Sequence, residues 1–135
     1  MTRTAVFTLR DYNLAATLTS GQAFRWREVN GAWENIIAGR WVRLSVNGKK
    51  LHAQTAKPQK DWQWLRDYLQ IDVDLKKILA GFPKDDPHLA AARKSCRGLR
   101  LLKQDPWETL AGFICSSNKR IVQIQQIIAD LCDRF

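Results

Sequence analysis

The chain has 135 residues, of which 45% are hydrophobic and 26% charged, a composition typical of one globular domain, or of one domain and the start of another. No apolar run approaches the roughly 20 residues of a membrane span, and the first residues lack the apolar core of a secretory signal. Twenty-two basic against thirteen acidic residues give a formal charge of +9, which favours a polyanionic partner such as nucleic acid without distinguishing DNA from RNA or an anionic surface.

The sequence carries no recognisable metal or catalytic motif. Cys96, Cys115 and Cys132 form no C-x-x-C pair, and His52 and His88 complete no zinc-type spacing with them. We expect reduced, buried thiols in a cytosolic or nuclear setting. A Walker loop and a G-x-S-x-G elbow are absent as well. The sequence therefore predicts no metal, no cofactor and no catalytic residue in this chain.

Alternating apolar and polar residues predict that the N-terminal half forms an antiparallel meander. Asn30-Gly31 and Asn47-Gly48 are hairpin signals, because both residue types tolerate a positive φ. The tryptophans of this half are expected to pack in the core rather than stack on bases. A short helical turn is expected after the first strand. The predicted strands are 4–10, 24–27, 33–38, 41–46 and 50–55.

From Pro58 onwards the apolar spacing changes to that of helices. A helix started near Pro58 is expected to cover one side of the sheet. Two short helices follow, the first capped by Asp72 or Asp74 and the second over 87–96. Next comes a run of cations without an acid between them, for which a solvated face and a contact to phosphate are about equally good interpretations. The run comprises Arg93, Lys94, Arg97, Arg100 and Lys103.

The sequence strongly indicates that a helix starts at Asp105. Asp105 is expected at the N-cap and Pro106 at the first helical position. Glu108 follows at the third, so that two backbone donors gain side-chain partners. The apolar residues that follow recur at helical spacing and are expected to bury one face. This face comprises Leu110, Phe113 and Ile114.

A polar run separates this helix from a second one. Asn118 is expected at the joint of the resulting helical hairpin, with Lys119 and Arg120 in the first turn of the second helix. The macrodipole disfavours cations there by about 0.3–1 kcal/mol each, so a phosphate backbone is a natural partner. Alternatively, Asn118 only caps the second helix and the cations are solvated. The inner face of the second helix is expected to carry Ile121, Ile124, Ile127, Ile128 and Leu131.

Two blocks, SGQAFRWR at 20–27 and the stretch from QDPWE at 104–108 to FICSSN at 113–118, occur in this order. Together they resemble the N-terminal half of the 8-oxoguanine DNA glycosylases, and the similarity runs from about Thr4 to Phe135. It implies an α+β fold, in which a twisted antiparallel sheet covered by helices over 1–98 precedes the first helices of an all-α glycosylase domain over 99–135. The implied partner is double-stranded DNA containing an oxidised guanine, with no membrane, in base-excision repair. The base must be flipped out, because the glycosidic carbon is inaccessible in the stack.

The resemblance also implies roles for individual residues. Gly21 matches the glycine whose backbone carbonyl meets the N7 hydrogen of oxidised guanine, although without the flanking match it would be taken for a turn residue. Asn118 matches the asparagine that enters the gap left by the flipped base. Lys119 and Arg120 would strengthen phosphate binding. Gln123 stands where the family has an arginine that reads the opposite cytosine, and it brings no charge to that task.

The family's catalytic residues lie beyond the matched region. We therefore expect a fragment or a split half that has no glycosylase or lyase activity alone and needs a C-terminal half or a second chain. We expect an intracellular location, nuclear in a eukaryote and cytoplasmic or nucleoid-associated in a prokaryote. The alternative function is a non-catalytic DNA-binding module that uses the cations of 93–103 and of Lys119 and Arg120 without lesion preference.

Overall fold

The computed structural model describes residues 1–135, which form five strands and six helices. The α+β class predicted from the sequence is confirmed. The strands are β1 (Thr2–Thr8), β2 (Arg27–Val29), β3 (Ala32–Ile37), β4 (Arg40–Asn47) and β5 (Lys50–Gln59). The helices are α1 (Leu14–Thr19), α2 (Gln63–Leu69), α3 (Leu75–Ala80), α4 (Pro87–Ser95), α5 (Pro106–Ser116) and α6 (Ile121–Arg134). None of the helices has the length and apolar character that crossing a membrane requires.

All five strands form one antiparallel sheet in the order β1-β5-β4-β3-β2. Strands β2 to β5 are the predicted meander, and β1 pairs along β5. The predicted hairpin at Asn30-Gly31 is confirmed, with φ angles of 50° and 71°. The β4–β5 turn lies one residue later than predicted, because Asn47 already pairs with Lys50.

The core lies between the sheet and helices α1 and α2. Val42, Leu44 and Leu51 of the sheet are fully buried, and so are Leu65 and Leu69 of α2. Burying an apolar side chain of this size stabilises the folded state by about 1.5–3 kcal/mol. The prediction that helices cover one side of the sheet is confirmed.

The strand predicted over 24–27 is wrong for all but its last residue. Strand β2 begins at Arg27, and the residues just before it are irregular. Trp26 is only 4% exposed and donates from its indole nitrogen to the Tyr68 hydroxyl at 3.1 Å. This contact with α2 draws the chain away from the sheet, which local alternation cannot indicate.

The helix predicted to start near Pro58 starts at Gln63. Strand β5 continues to Gln59, and its pairing with β1 shifts register over the stretch that holds Pro58. A shifted register interrupts the ladder of backbone hydrogen bonds, so a proline without an N–H is tolerated there. Pairing with the N-terminal strand therefore decides where the helix begins.

The short helices α3 and α4 contribute no buried residue. Of the two caps considered for α3, Asp74 is the one used, since it accepts a hydrogen bond from Lys77 N at 3.2 Å. Asp72 instead forms an ion pair with Arg66 of α2. These local contacts, rather than core packing, hold the segment between α2 and α4.

The prediction of buried thiols is wrong. Cys96 after α4 and Cys132 in α6 are exposed, and Cys115 in α5 is half-buried, although all three are free. The exposure follows from the helices near which the thiols lie, because α4 and α6 together contribute a single buried side chain, that of Ile124.

Candidate nucleic-acid interface

Helix α5 begins where the sequence predicts. Asp105 is its N-cap and accepts a hydrogen bond from Glu108 N at 2.9 Å, and Pro106 occupies the first helical position. The Glu108 carboxylate does not return to the N-cap amide, as a capping box would require, and lies 3.6 Å from the Arg25 guanidinium instead. Arg25 lies in the irregular segment that follows the loop of Gly21, so this ion pair links that segment to the start of α5.

The joint between α5 and α6 holds Asn118, Lys119 and Arg120, all of them exposed. Asn118 has a φ of 57° and follows α5 in the left-handed conformation that asparagine tolerates. Arg120 is the N-cap of α6, so the expectation that Lys119 and Arg120 lie in the first turn is wrong, since both precede it. The alternative that Asn118 caps α6 is wrong for the same reason. The two cations nevertheless flank the positive end of the helix dipole.

Gln123 satisfies one backbone donor at the start of α6. Its Oε1 atom accepts a hydrogen bond from Arg120 N at 3.0 Å. The side-chain NH2 group remains as a donor at this exposed position. Gln123 is therefore partly committed to the helix that carries it.

Gly21 lies against the start of α6. It follows α1 with a φ of +81°, and a β-carbon added to it would stand 3.9 Å from Ile121 Cδ1. The carbonyl oxygen of Gly21 accepts no hydrogen bond from the rest of the chain. The fold thus brings the loop of Gly21 and the joint of Asn118 to the same side of the molecule, next to a backbone acceptor without a partner.

Arg100 does not belong to a basic surface. It is 4% exposed, and its guanidinium donates to the carbonyls of Val73 at 2.6 Å and Arg10 at 2.8 Å. The interpretation of the cation run as phosphate-contacting is therefore wrong for this residue. The remaining four cations of the run are exposed. The sequence offered one hint, the position of Arg100 within a leucine-rich stretch.

The apolar face of α5 is exposed, which contradicts its predicted burial. Leu110 is 49% exposed, Phe113 75% and Ile114 63%. The buried residue of the helix is Gly112, where a β-carbon would stand 3.5 Å from the ring of Phe24. Of the five residues predicted on the inner face of α6, one is buried, two are half-buried and two are exposed. The apolar faces of both helices are therefore only partly covered by the rest of the chain.

Two tyrosines that lie in or against α2 have pKa values raised by burial. Burial raises the pKa of Tyr68 to about 12, partly opposed by its hydrogen bond from Trp26. Burial also raises the pKa of Tyr12, whose hydroxyl donates to the Leu69 carbonyl at 2.8 Å. Groups that stay neutral over the physiological range support the fold and are not acid–base candidates.

The chain offers no evident catalytic or metal centre. No group of three or more His, Cys, Asp or Glu side chains is arranged to hold a metal ion. Every lysine is exposed, whereas an amine nucleophile needs burial or neighbouring cations to lower its pKa. What the arrangement offers a partner is a set of exposed cations and one backbone acceptor that has no partner within the chain.

The sequence matches a known protein family and characterised relatives. Residues 5–110 match the family described as 8-oxoguanine DNA glycosylase, N-terminal domain. The N-glycosylase/DNA lyase OGG1 of Arabidopsis thaliana is 30% identical over 125 residues, covering 87% of this chain and 34% of the relative. The N-glycosylase/DNA lyase of Saccharomyces cerevisiae is 42% identical over 143 residues, covering 90% and 36%. The chain thus spans about a third of the length of these relatives.

Solved structures resemble the chain over nearly all its length. MBOgg1 in complex with a low affinity DNA ligand has a TM-score of 0.84 at 33% identity, covering 95% of this chain and 45% of that one. The 8-oxoguanine glycosylase/lyase of Clostridium acetobutylicum in its apo-form has a TM-score of 0.80 at 26% identity, covering 93% and 44%. The same enzyme with double-stranded DNA containing cytosine opposite 8-oxoguanine has a TM-score of 0.76 at 26% identity, covering 90% and 45%.

The matches in sequence and in structure agree with what the chain itself shows. It has the two sequence blocks, one antiparallel sheet and the loop of Gly21 against α6. The family match covers most of the chain, from the sheet into α5. The chain belongs to the 8-oxoguanine DNA glycosylase family, of which it carries the N-terminal domain.

Proposed function

We propose that this chain is the N-terminal part of an 8-oxoguanine DNA glycosylase/AP lyase, which binds damaged duplex DNA with the oxidised guanine flipped out of the stack. The observation that carries the proposal is the approach of Gly21 to Ile121, at 3.9 Å from an added β-carbon. It sets a free backbone acceptor beside the exposed joint of Asn118. The solved relative with 8-oxoguanine in its DNA supports the same partner class.

Gly21 has the chemistry to tell the lesion from normal guanine. Oxidised guanine carries a hydrogen on N7, which a carbonyl oxygen can accept, whereas N7 of guanine is itself an acceptor. A neutral hydrogen bond contributes about 0.5–1.5 kcal/mol, and an unpaired buried polar group costs about 1–3 kcal/mol. The two effects together correspond to a preference of about tenfold or more for the lesion.

The joint between α5 and α6 has the chemistry to hold the duplex around the extruded base. The exposed Asn118 amide offers two donors and one acceptor to an unpaired base. Lys119 and Arg120 supply charge to the phosphates next to the free amides of α6. Gln123 adds a neutral donor, which reads a base edge less strongly than a bidentate arginine.

The first prediction concerns lesion preference. Gly21→Ala is expected to reduce the ratio of affinities for an 8-oxoguanine:cytosine duplex and a guanine:cytosine duplex about tenfold, because alanine does not hold φ at +81° without strain. Asn118→Ala is expected to reduce it as well. Competition binding at fixed salt measures both ratios.

The control is Gly31→Ala, at a hairpin position of φ +71° with nothing within 4 Å of the added carbon. It carries the same backbone strain far from the proposed contact, so its affinity ratio is expected to equal that of the unmodified chain. Equal affinity of the unmodified chain for both duplexes, changed only by salt and total charge, would instead favour the basic module without lesion preference.

The second prediction concerns catalysis. We propose that this chain contributes binding rather than chemistry, because its lysines are all exposed and none is set up as a Schiff-base nucleophile. Incubation with an 8-oxoguanine duplex and sodium borohydride is expected to yield no covalent adduct. The yeast relative, named N-glycosylase/DNA lyase, serves as the positive control. A borohydride-trapped band from the 135-residue chain alone would refute this part of the proposal.

A further inference from the structure

The side-chain amide of Gln22, the residue after Gly21, is fully paired. Its Nε2 donates to the Arg100 carbonyl at 2.7 Å and lies 2.9 Å from Ser20 Oγ, and its Oε1 accepts from Leu102 N at 2.9 Å. The backbone carbonyl of Gln22 accepts from Gln104 Nε2 at 2.5 Å. The Gln22 side chain thus donates to the carbonyl of one residue and accepts from the N–H of another, and both residues lie on a segment distant in sequence.

The same distant segment is fastened to α1. Arg100 N donates to Thr17 Oγ1 at 3.1 Å, and Asn13 N donates to the Gly98 carbonyl at 2.8 Å. The segment then enters α5 at its N-cap Asp105. The loop of Gly21 and the segment that leads into α5 are therefore joined by side-chain to main-chain hydrogen bonds of Gln22 and Gln104.

Within this network the Gly21 carbonyl is left without a partner, although the groups on either side of it are held. A glycine backbone is the freest of all residues, so an untied Gly21 would sample many carbonyl directions. A hydrogen bond weakens steeply once its angle falls towards 120°. An acceptor held in one direction before the base arrives avoids the ordering cost at binding.

We propose that Gln22 is a positioning residue for lesion recognition. Its side-chain amide, paired with Arg100 O and Leu102 N, and its backbone carbonyl, paired with Gln104 Nε2, together hold the Gly21 carbonyl in the direction that accepts the N7 hydrogen. The inference rests on the proposed function of Gly21. It adds the residue that orients the Gly21 carbonyl for the lesion. Gln22 itself does not touch the base.

The test compares Gln22→Met, which keeps the side-chain length but removes both partners, with Gln63→Met. Gln63 is an exposed glutamine of α2 whose amide bonds only to Asp67 on its own helix. Gln22→Met is expected to lower the ratio of affinities for the 8-oxoguanine and guanine duplexes about tenfold. Affinity for undamaged DNA and its salt dependence stay within twofold, whereas Gln63→Met changes none of these quantities. A purely structural role would move all affinities together.

Gln104→Met is the second variant. It removes only the hydrogen bond to the Gln22 carbonyl and leaves the two bonds of the Gln22 side-chain amide to Arg100 O and Leu102 N in place. It is expected to lower the ratio about threefold, and it decides the question if Gln22→Met does not fold. The inference is overturned if a folded Gln22→Met chain, or failing that a folded Gln104→Met chain, has the unmodified ratio while Gly21→Ala still lowers the ratio about tenfold. Absence of lesion preference in the unmodified chain overturns the proposed function, and the inference with it.

Discussion

Replacing Gly98 with alanine is expected to lower the free energy of unfolding by about 2–5 kcal/mol. Gly98 has a φ of +78°, where an L side chain costs about 1–2 kcal/mol. The new β-carbon would also stand 2.8 Å from Asn13 N and 3.2 Å from the carbonyl carbon of Tyr12. Backbone atoms cannot rotate aside as a side chain does, and overpacking of this kind costs about 1–3 kcal/mol more.

Urea denaturation of Gly98→Ala beside Gly48→Ala separates the two causes. Gly48 has a φ of +57° with nothing within 4 Å of an added β-carbon, so its variant loses only the conformational part, about 1–2 kcal/mol. Equal losses for the two variants would contradict the close approach of Gly98 to the cap of α1. Since folded domains are stable by only about 5–15 kcal/mol, the expected loss at Gly98 brings the chain close to unfolding.

Replacing Arg100 with methionine is expected to lower the free energy of unfolding by about 2–6 kcal/mol, because at least two buried carbonyls lose their donor. The guanidinium donates to the carbonyls of Val73, Arg10 and Asp11 at 2.6, 2.8 and 3.3 Å. It also lies 5.3 Å from the ring centroid of Tyr12. Methionine fills a similar volume but leaves these carbonyls without donors, and each unsatisfied buried group costs about 1–3 kcal/mol.

The matched control is Arg97→Met. The Arg97 side chain is 84% exposed and lies 3.9 Å from the Asp11 carboxylate, so its loss is expected to cost less than about 1 kcal/mol. Arg100→Lys adds a finer comparison, because an ammonium group lacks the planar fork that reaches several carbonyls at once. Stability of Arg100→Met equal to that of Arg97→Met in the same urea titration would show that the carbonyls find other donors.

Short-range signals predicted well wherever the hydrogen bonds concerned span only a few residues. The N-cap of α5 at Asp105 and the hairpin at Asn30-Gly31 are where the sequence indicates. The strand at 24–27 and the helix start near Pro58 were wrong, because Trp26 is taken up by a tyrosine of α2 and β5 is extended by pairing with β1. Those partners are distant in sequence, so a local pattern cannot predict them.

The residue pattern alone predicts the joint of Asn118, Lys119 and Arg120 as an anion site, whereas Gly21 is a candidate site residue only through family resemblance. Gly21 and Asn118 were singled out by the two blocks, and their roles in binding stay predictions. What the blocks cannot express is that Gly21 lies against Ile121, or that Gln22 clamps its loop to the segment entering α5. The exposure of Phe113 was likewise missed, because helical spacing marks an apolar face without saying what covers it.

The sequence by itself determined the α+β class, four of the five strands, the N-cap of α5, the positive charge and the family. Tertiary structure alone decided that Arg100 is a buried support rather than a surface cation, and that the loop of Gly21 meets the start of α6. The physical reason is that caps and turns are satisfied within a few residues of chain. Burial, and the hydrogen bonds that make it tolerable for a polar group, depend on which distant segments the fold brings together.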